Sequence, residues 1–100
     1  MKDLILISEE NKELTGFALG LLITYADFTY GTIEELYVAP PFRKLGIASA
    51  LIKEMIERLR TLGAESVIIL TNDKNKSAIK LYNKLGFKRS TYAYIRRLQN

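Results

Sequence analysis

The amino-terminal part of the chain carries apolar and β-branched residues in runs that polar segments separate. Runs of four to eight such residues, bounded by turn residues, predict β-strands. The pattern predicts a hairpin and a third strand, with strands at residues 4–8, 14–25 and 32–38 and turns at 9–13 and 27–31. The pair Pro40-Pro41 then ends the third strand, because proline has no N–H for sheet pairing.

From residue 46 the spacing of apolar positions changes to that of an amphipathic helix. Apolar residues recur every three or four positions up to residue 62, namely at Ala48, Leu51, Ile52, Met55, Leu59 and Leu62. A buried strand at residues 66–70, a second helix from Asn75 to Gly86 and a last strand at 91–98 follow. The predicted order is β-β-β-α-β-α-β, an α+β (mixed α/β) fold with helices packed on a central sheet.

Length and composition limit the kinds of active site that the chain can contain. The chain has 100 residues and is predicted to form one domain, residues 1–100. It contains no Cys and no His, so any proton transfer has to use Glu, Asp, Tyr or Lys, and no metal site is expected. The longest apolar stretch, residues 17–23, is too short to cross a bilayer, and a cytoplasmic location is expected.

The segment between the third strand and the first helix is the candidate binding site. It contains Arg43-Lys44-Leu45-Gly46-Ile47-Ala48, directly at the helix start. Backbone N–H groups there have no partners within the helix, and the helix dipole adds positive potential, so a phosphate group would satisfy both. The alternative is that Gly46 only relieves crowding and that the two basic residues are solvated.

Two segments resemble the GNAT superfamily of N-acetyltransferases. Residues 36–48 are similar to its acetyl-CoA motif, Arg/Gln-x-x-Gly-x-Gly/Ala after a strand, and residues 75–87 resemble its Asn-x-x-Ala-x-x-Leu-Tyr-x-x-x-Gly-Phe segment. The resemblance covers residues 4–98 and implies acetyl-CoA as cosubstrate. It assigns cofactor binding to Leu36, Tyr37, Val38, Arg43, Lys44, Leu45, Gly46, Ile47, Ala48, Asn75 and Tyr82.

The same resemblance implies the catalytic roles. Tyr82 would protonate the departing CoA thiolate, although its place on the apolar helix face also suits a core residue. The N–H of Val38 would stabilise the oxyanion. Glu34 and Glu35 are the candidate bases. Glu34 is favoured as the base because alternation places it on the same sheet face as Leu36 and Val38, and Glu35 is expected to attract the amine by its charge.

The expected reaction is direct transfer to the primary amine of a small molecule or a peptide. The family's usual amino-terminal strand and helices are absent from this sequence, so an uncovered apolar face and a homodimer are expected. Two other functions stay open at this point. One is a shortened domain that binds CoA without turnover and acts as an interaction module; the other is a basic nucleic-acid-binding domain, which is disfavoured because the charged residues, net +4, are scattered.

Overall fold

A computed structural model of the chain describes residues 1–70, 76–89 and 93–98. Within them, six strands form one mixed sheet in the order β1-β2-β3-β4-β6-β5, accompanied by two helices. The elements are β1 (Lys2–Glu10), β2 (Glu13–Tyr25), β3 (Phe28–Val38), α1 (Ile47–Thr61), β4 (Ser66–Leu70), α2 (Lys76–Lys84), β5 (Lys88–Arg89) and β6 (Ala93–Arg97). The predicted α+β architecture is confirmed, and β5 is an additional short strand.

Strands β1, β2 and β3 form an antiparallel meander with tighter turns than the sequence suggested. The turn between β1 and β2 is Asn11-Lys12, and both residues have positive φ, 52° and 66°. Two central residues with positive φ match the right-handed twist of the flanking strands, so the turn needs only two residues. Residues predicted to lie in turns, such as Glu13 and Phe28, therefore belong to strands.

Strand β4 joins the sheet beside β3 after the crossover through α1. The two strands are parallel and, in the part of the chain that the structure describes, pair at three positions, Gly31 with Val67, Thr32 with Ile68 and Ile33 with Ile69. Strand β6 then pairs antiparallel with β4, and β5 pairs with β6 at the edge. The short shared ladder between β3 and β4 determines where the candidate site opens.

Helix α1 lies close against the sheet because glycines face it. A Cβ atom at Gly20 would lie 2.7 Å from the sulfur of Met55, and one at Gly31 would lie 2.6 Å from Cδ1 of Leu59. Both of these helix side chains are fully buried. Without side chains at those two strand positions, the apolar stripe of α1 packs directly on the backbone of β2 and β3.

Both helices cover the same face of the sheet, called here the inner face. The ring of Tyr82 on α2 lies 5.6 Å from that of Tyr94 on β6, and Tyr94 pairs in register with Ile69. Ile69 in turn pairs with Ile33, which belongs to the core beneath α1. The opposite face, called here the outer face, is covered by no helix among the described residues.

Candidate active site

The site begins where β3 separates from β4. The register between β2 and β3 shifts at this point, since Gly20 pairs with Ile33 and Leu19 pairs with Glu35, which leaves Glu34 as an extra residue. Such a bulge bends its strand and increases the local twist. Among the described residues, the last pair between β3 and β4 is Ile33 with Ile69, so β4 as far as Leu70 does not accompany the rest of β3.

The unpaired edge of β3 presents backbone groups to the gap. The N–H of Ala39 donates to the carbonyl of Thr15 at 2.8 Å, which places Ala39 on the side of β2. Successive residues of a strand direct their backbone groups to opposite sides, so the N–H and C=O of Leu36 and Val38 point away from β2. These groups are thus exposed to the space that β4 would otherwise occupy.

A cleft of about 350 Å³ occupies that space, between β3 and α2. Its walls include most side chains to which the sequence assigned chemistry, together with apolar side chains from the sheet and α2. The lining residues are Ile33, Glu34, Glu35, Leu36, Val38, Arg43, Ala48, Ile69, Ser77, Ala78, Leu81 and Tyr82. The lining of this cleft therefore includes carboxylates, a phenol and a guanidinium.

The amino end of α1 borders this cleft through Arg43 and Ala48. Its N-cap is Gly46 at φ 86°, which has no side chain to accept from the first turn, and the first turn contains no acidic residue. The first helical hydrogen bond runs from the N–H of Ala50 to Gly46. In the described part of the chain, the amides of Ile47, Ala48 and Ser49 have no hydrogen-bond acceptor.

The space in front of Gly46 is open. A Cβ atom built on it would meet nothing within 4 Å, so the glycine is needed for its positive φ rather than to avoid a neighbour. Arg43 lies beside this opening and donates from Nε to the carbonyl of Val38 at 2.9 Å. The arrangement leaves room for an anionic group against helix amides that lack partners.

Tyr82 combines a packed ring with a place on the cleft wall. Its residue is 7% exposed, and its ring lies 6.1 Å from that of Phe87 and 5.6 Å from that of Tyr94. The packing holds the side chain in a defined position on α2. Both uses that the sequence suggested for this residue, core packing and a place in the site, are therefore compatible with its surroundings.

The two glutamates of β3, Glu34 and Glu35, differ in their position relative to the bulge. Strict alternation would have put Glu34 on the face of Leu36 and Val38 and Glu35 on the other, but the bulge interrupts alternation at Glu34. Both residues are exposed and both line the cleft. The bulge leaves Glu34 without a partner on β2, whereas Glu35 pairs with Leu19, and because both carboxylates line the cleft the preference for Glu34 as the base stays a prediction.

Other predicted site residues lie outside the cleft. The Tyr37 ring is on the outer face, 5.6 Å from the ring of Phe17, and its backbone groups point toward β2. The segment into α1 does not line the cleft; it consists of Lys44, Leu45, Gly46 and Ile47. Asn75 falls outside the described residues.

Some residues of the cleft were not predicted from the sequence, namely Ile33, Ile69, Ser77, Ala78 and Leu81. For Ala78 and Leu81 a signal was available, because they share a helix face with Tyr82.

Two further features concern the whole described chain. No group of three or more Asp and Glu residues that could hold a metal ion occurs among residues 1–70, 76–89 and 93–98. In the same residues, neither helix has the length and apolar character needed to cross a membrane.

Comparisons with known proteins agree with this geometry. A family model described as Acetyltransferase (GNAT) family matches residues 2–87. An acetyltransferase of Pectobacterium atrosepticum is 33% identical over 85 residues, which are 85% of this chain and 57% of that protein. The aminoalkylphosphonate N-acetyltransferase of Salmonella typhimurium is 37% identical over 68 residues, 68% of this chain and 44% of that protein. The present chain thus spans about half the length of these curated relatives.

The solved structures show the same fold. Arabidopsis thaliana Naa50, in complex with the bisubstrate analogue CoA-Ac-MVNAL, superposes with a TM-score of 0.86 at 19% identity, covering 94% of this chain and 72% of that chain. At this level of identity the likeness concerns the arrangement of strands and helices.

Proposed function

The chain belongs to the acetyltransferase (GNAT) family, and we propose that it transfers the acetyl group of acetyl-CoA to a primary amine of a small molecule or a peptide. The observation that carries the proposal is the position of the cleft. It opens where β3 leaves β4 and reaches the uncapped amino end of α1, so backbone donors and a catalytic wall adjoin one space.

The residues present fit coenzyme A. The amides from Lys44 to Ala48, with the basic side chains of Arg43 and Lys44, would hold the pyrophosphate at the start of α1; the amide of Arg43 itself donates to the carbonyl of Pro40. The backbone groups of Leu36 and Val38, which point into the gap, would pair with the pantetheine arm. The bound cosubstrate would supply an activated acetyl thioester, whose carbonyl the N–H of Val38 would polarise.

The side chains of the cleft then serve proton transfer. A carboxylate of Glu34 or Glu35 takes a proton from the incoming ammonium, directly or through water, so that the amine nitrogen bonds to the acetyl carbon. The carbon–sulfur bond breaks, and the hydroxyl of Tyr82 gives its proton to the sulfur that leaves. The second proton of the amine nitrogen then restores the neutral phenol, so that a neutral amide and a free thiol are the products. Since the chain has no Cys, no acetylated cysteine stands between the two steps, and the kinetics should be sequential.

The test is a steady-state assay of thiol release with a panel of small amines and peptides. Tyr82→Phe should lower kcat about 100-fold or more, because the general acid is lost while the ring remains. Tyr94→Phe is the matched control: this tyrosine is also buried and touches the same ring, but it does not line the cleft. Equal activity of the Tyr82→Phe and Tyr94→Phe variants would contradict the role given to Tyr82.

Cofactor binding is tested separately by thermal unfolding with and without acetyl-CoA. A ligand that binds only the native state raises its stability, by about 2.7 kcal/mol at a concentration of 100 Kd. Arg43→Ala should reduce the shift, whereas Lys12→Ala, in the distant β1–β2 turn, should leave it unchanged. Absence of any shift in the unmodified chain would contradict the proposal as a whole.

Two broader features belong to the same proposal. The acting unit is a homodimer, supported by the apolar outer face that no described helix covers. The compartment is the cytoplasm: the reaction needs a phosphate-bearing cosubstrate that does not cross a bilayer unaided. Cell fractionation tests the location.

A further inference from the structure

We propose that the outer face of the sheet is covered by the outer face of a second copy of this chain, with the two-fold axis running along the strands. The inference specifies the arrangement of the proposed homodimer. It rests on that assembly but not on the proposed chemistry, so the two can fail separately.

The outer face is apolar over most of its area, although the exposed charged residues Glu35 and Arg97 also belong to it through their pairs with Leu19 and Ser66. Ile5 and Ile7 on β1 are 64% and 59% exposed, and Phe17, Leu19, Leu21 and Ile23 on β2 are half-buried although no described helix lies over them. Ile68 on β4 and Ile95 on β6 are likewise half-buried and continue this face across the sheet. A contiguous apolar surface of this kind is typical of an interface.

The charges at the edges of this face have opposite signs. One continuous row crosses all six strands through the register pairs, and it consists of Asp3, Leu21, Thr32, Ile68, Ile95 and Lys88. Paired residues share a face, so Asp3 marks the β1 edge of the outer face and Lys88 marks the β5 edge. Both residues are exposed. The row is thus acidic at one end, basic at the other and apolar or hydroxyl-bearing between them.

The opposite charges at the two edges of the sheet favour one orientation of the two-fold axis of the dimer. A two-fold axis along the strands reverses the order of strands but keeps the level along each strand, so the β1 edge of one copy lies over the β5 edge of the other. Asp3 then faces Lys88 of the partner subunit, because both stand in the same row. An axis across the strands would instead place β1 over β1, without bringing Asp3 over its opposite charge. Isologous contact of this kind also closes the assembly at two copies.

The area is sufficient for a specific dimer. Six strands spaced about 4.8 Å apart span roughly 24 Å, and six residues along a strand span about 20 Å. Each copy would therefore contribute about 500 Å² and the pair about 1,000 Å², which is the lower limit for a specific interface. Two sheets packed in this way would form a sandwich with a closed apolar layer.

The first experiment is charge reversal followed by sedimentation equilibrium. The unmodified chain should be dimeric, and Asp3→Lys or Lys88→Asp alone should raise the dimer Kd about tenfold, since like charges then face each other. The double variant carrying both changes should return to within about threefold of the original Kd. Asp27→Lys, in the exposed β2–β3 turn, is the matched control and should not change the Kd.

The second experiment reports the symmetry directly and uses the absence of cysteine from the chain. Because packed sheets lie about 10 Å apart, a disulfide would not reach, and the probe is a short bismaleimide crosslinker: it should join a mixture of Asp3→Cys and Lys88→Cys chains into a covalent dimer, but not Asp3→Cys chains alone. Linkage of Asp3→Cys chains to one another would indicate the axis across the strands and overturn the arrangement. A monomeric unmodified chain would overturn it too, while thiol release measured on the same samples reports the proposed enzymatic function independently.

Discussion

The two faces of the sheet are formed by the same strands, but they differ in how their side chains are packed and covered. On the inner face, β2 and β3 have Gly20 and Gly31 where α1 lies closest, and the helix supplies Met55 and Leu59. On the outer face the same strands carry large apolar side chains that no described helix covers. The inner face thus gains its stability from close approach of the helix, and the outer face retains surface for association.

The largest expected effect comes from removing a side chain on the inner side. Leu59→Ala should lower the free energy of unfolding by about 2–5 kcal/mol, because Leu59 is fully buried and its loss leaves a cavity. Ile7→Ala, at 59% exposure on the outer face, should cost less than about 1 kcal/mol in the monomer. Urea unfolding of both variants at low protein concentration checks the contrast, and similar losses would refute it.

Adding a side chain where α1 approaches the sheet should also destabilise. Gly31→Val would place a Cβ atom 2.6 Å from Cδ1 of Leu59, so the buried Leu59 side chain or the helix itself would have to shift. The expected loss in the free energy of unfolding is about 1–3 kcal/mol, measured by urea unfolding. An unchanged free energy of unfolding would mean that the helix packs on the sheet less closely than the glycine positions indicate.

The neighbouring outer-face residue should respond in the opposite direction. The Oγ1 atom of Thr32 is buried and has no hydrogen-bond partner among the described residues. Thr32→Val replaces this hydroxyl by a methyl group of similar shape, so the free energy of unfolding should rise by up to about 1 kcal/mol. Thermal and urea unfolding measure the stability of this variant and of Gly31→Val, which changes the adjacent position on the opposite face. A clear decrease in the free energy of unfolding of Thr32→Val would mean that the hydroxyl has a hydrogen-bond partner.

The smallest expected effect lies on the solvent side of α1. Arg58 donates from Nε to a carboxylate oxygen of Glu54 at 2.8 Å, and the two side chains are 59% and 54% exposed. An exposed pair at this helical spacing contributes about 0.3–0.5 kcal/mol. A double-mutant cycle with Arg58→Ala and Glu54→Ala should give that coupling energy at low salt and less at high salt; a coupling above about 1 kcal/mol would contradict the assignment.

Much of the fold follows from local pattern. The helix predicted from residue 46 to 62 is observed as Ile47–Thr61, because its apolar stripe and the glycines at either end are visible in the sequence. The strand at residues 66–70 is observed with those bounds. By contrast, β5 is the dipeptide Lys88–Arg89, which has no apolar pattern and is a strand only because β6 lies beside it.

The candidate site, like the fold, was predictable from the sequence only in part. Its residue types were recognisable, and the structure brings Glu34, Glu35, Arg43 and Tyr82 to one cleft. What the sequence does not display is the extra residue in β3, since a bulge is defined by the register with β2 rather than by the residue itself. The separation of β3 from β4 is hidden for the same reason, because it depends on which strand lies alongside.

The bulge at Glu34 also changes which positions of β3 face inward. Before it, Gly31 and Ile33 face inward at odd-numbered positions; after it, Leu36 and Val38 face inward at even-numbered ones. The strand therefore carries two alternating patterns that are one residue out of phase. Strict alternation applied to the whole of β3 would assign Leu36 and Val38 to the wrong face, so the effects of substitutions along this strand have to be interpreted separately before and after Glu34.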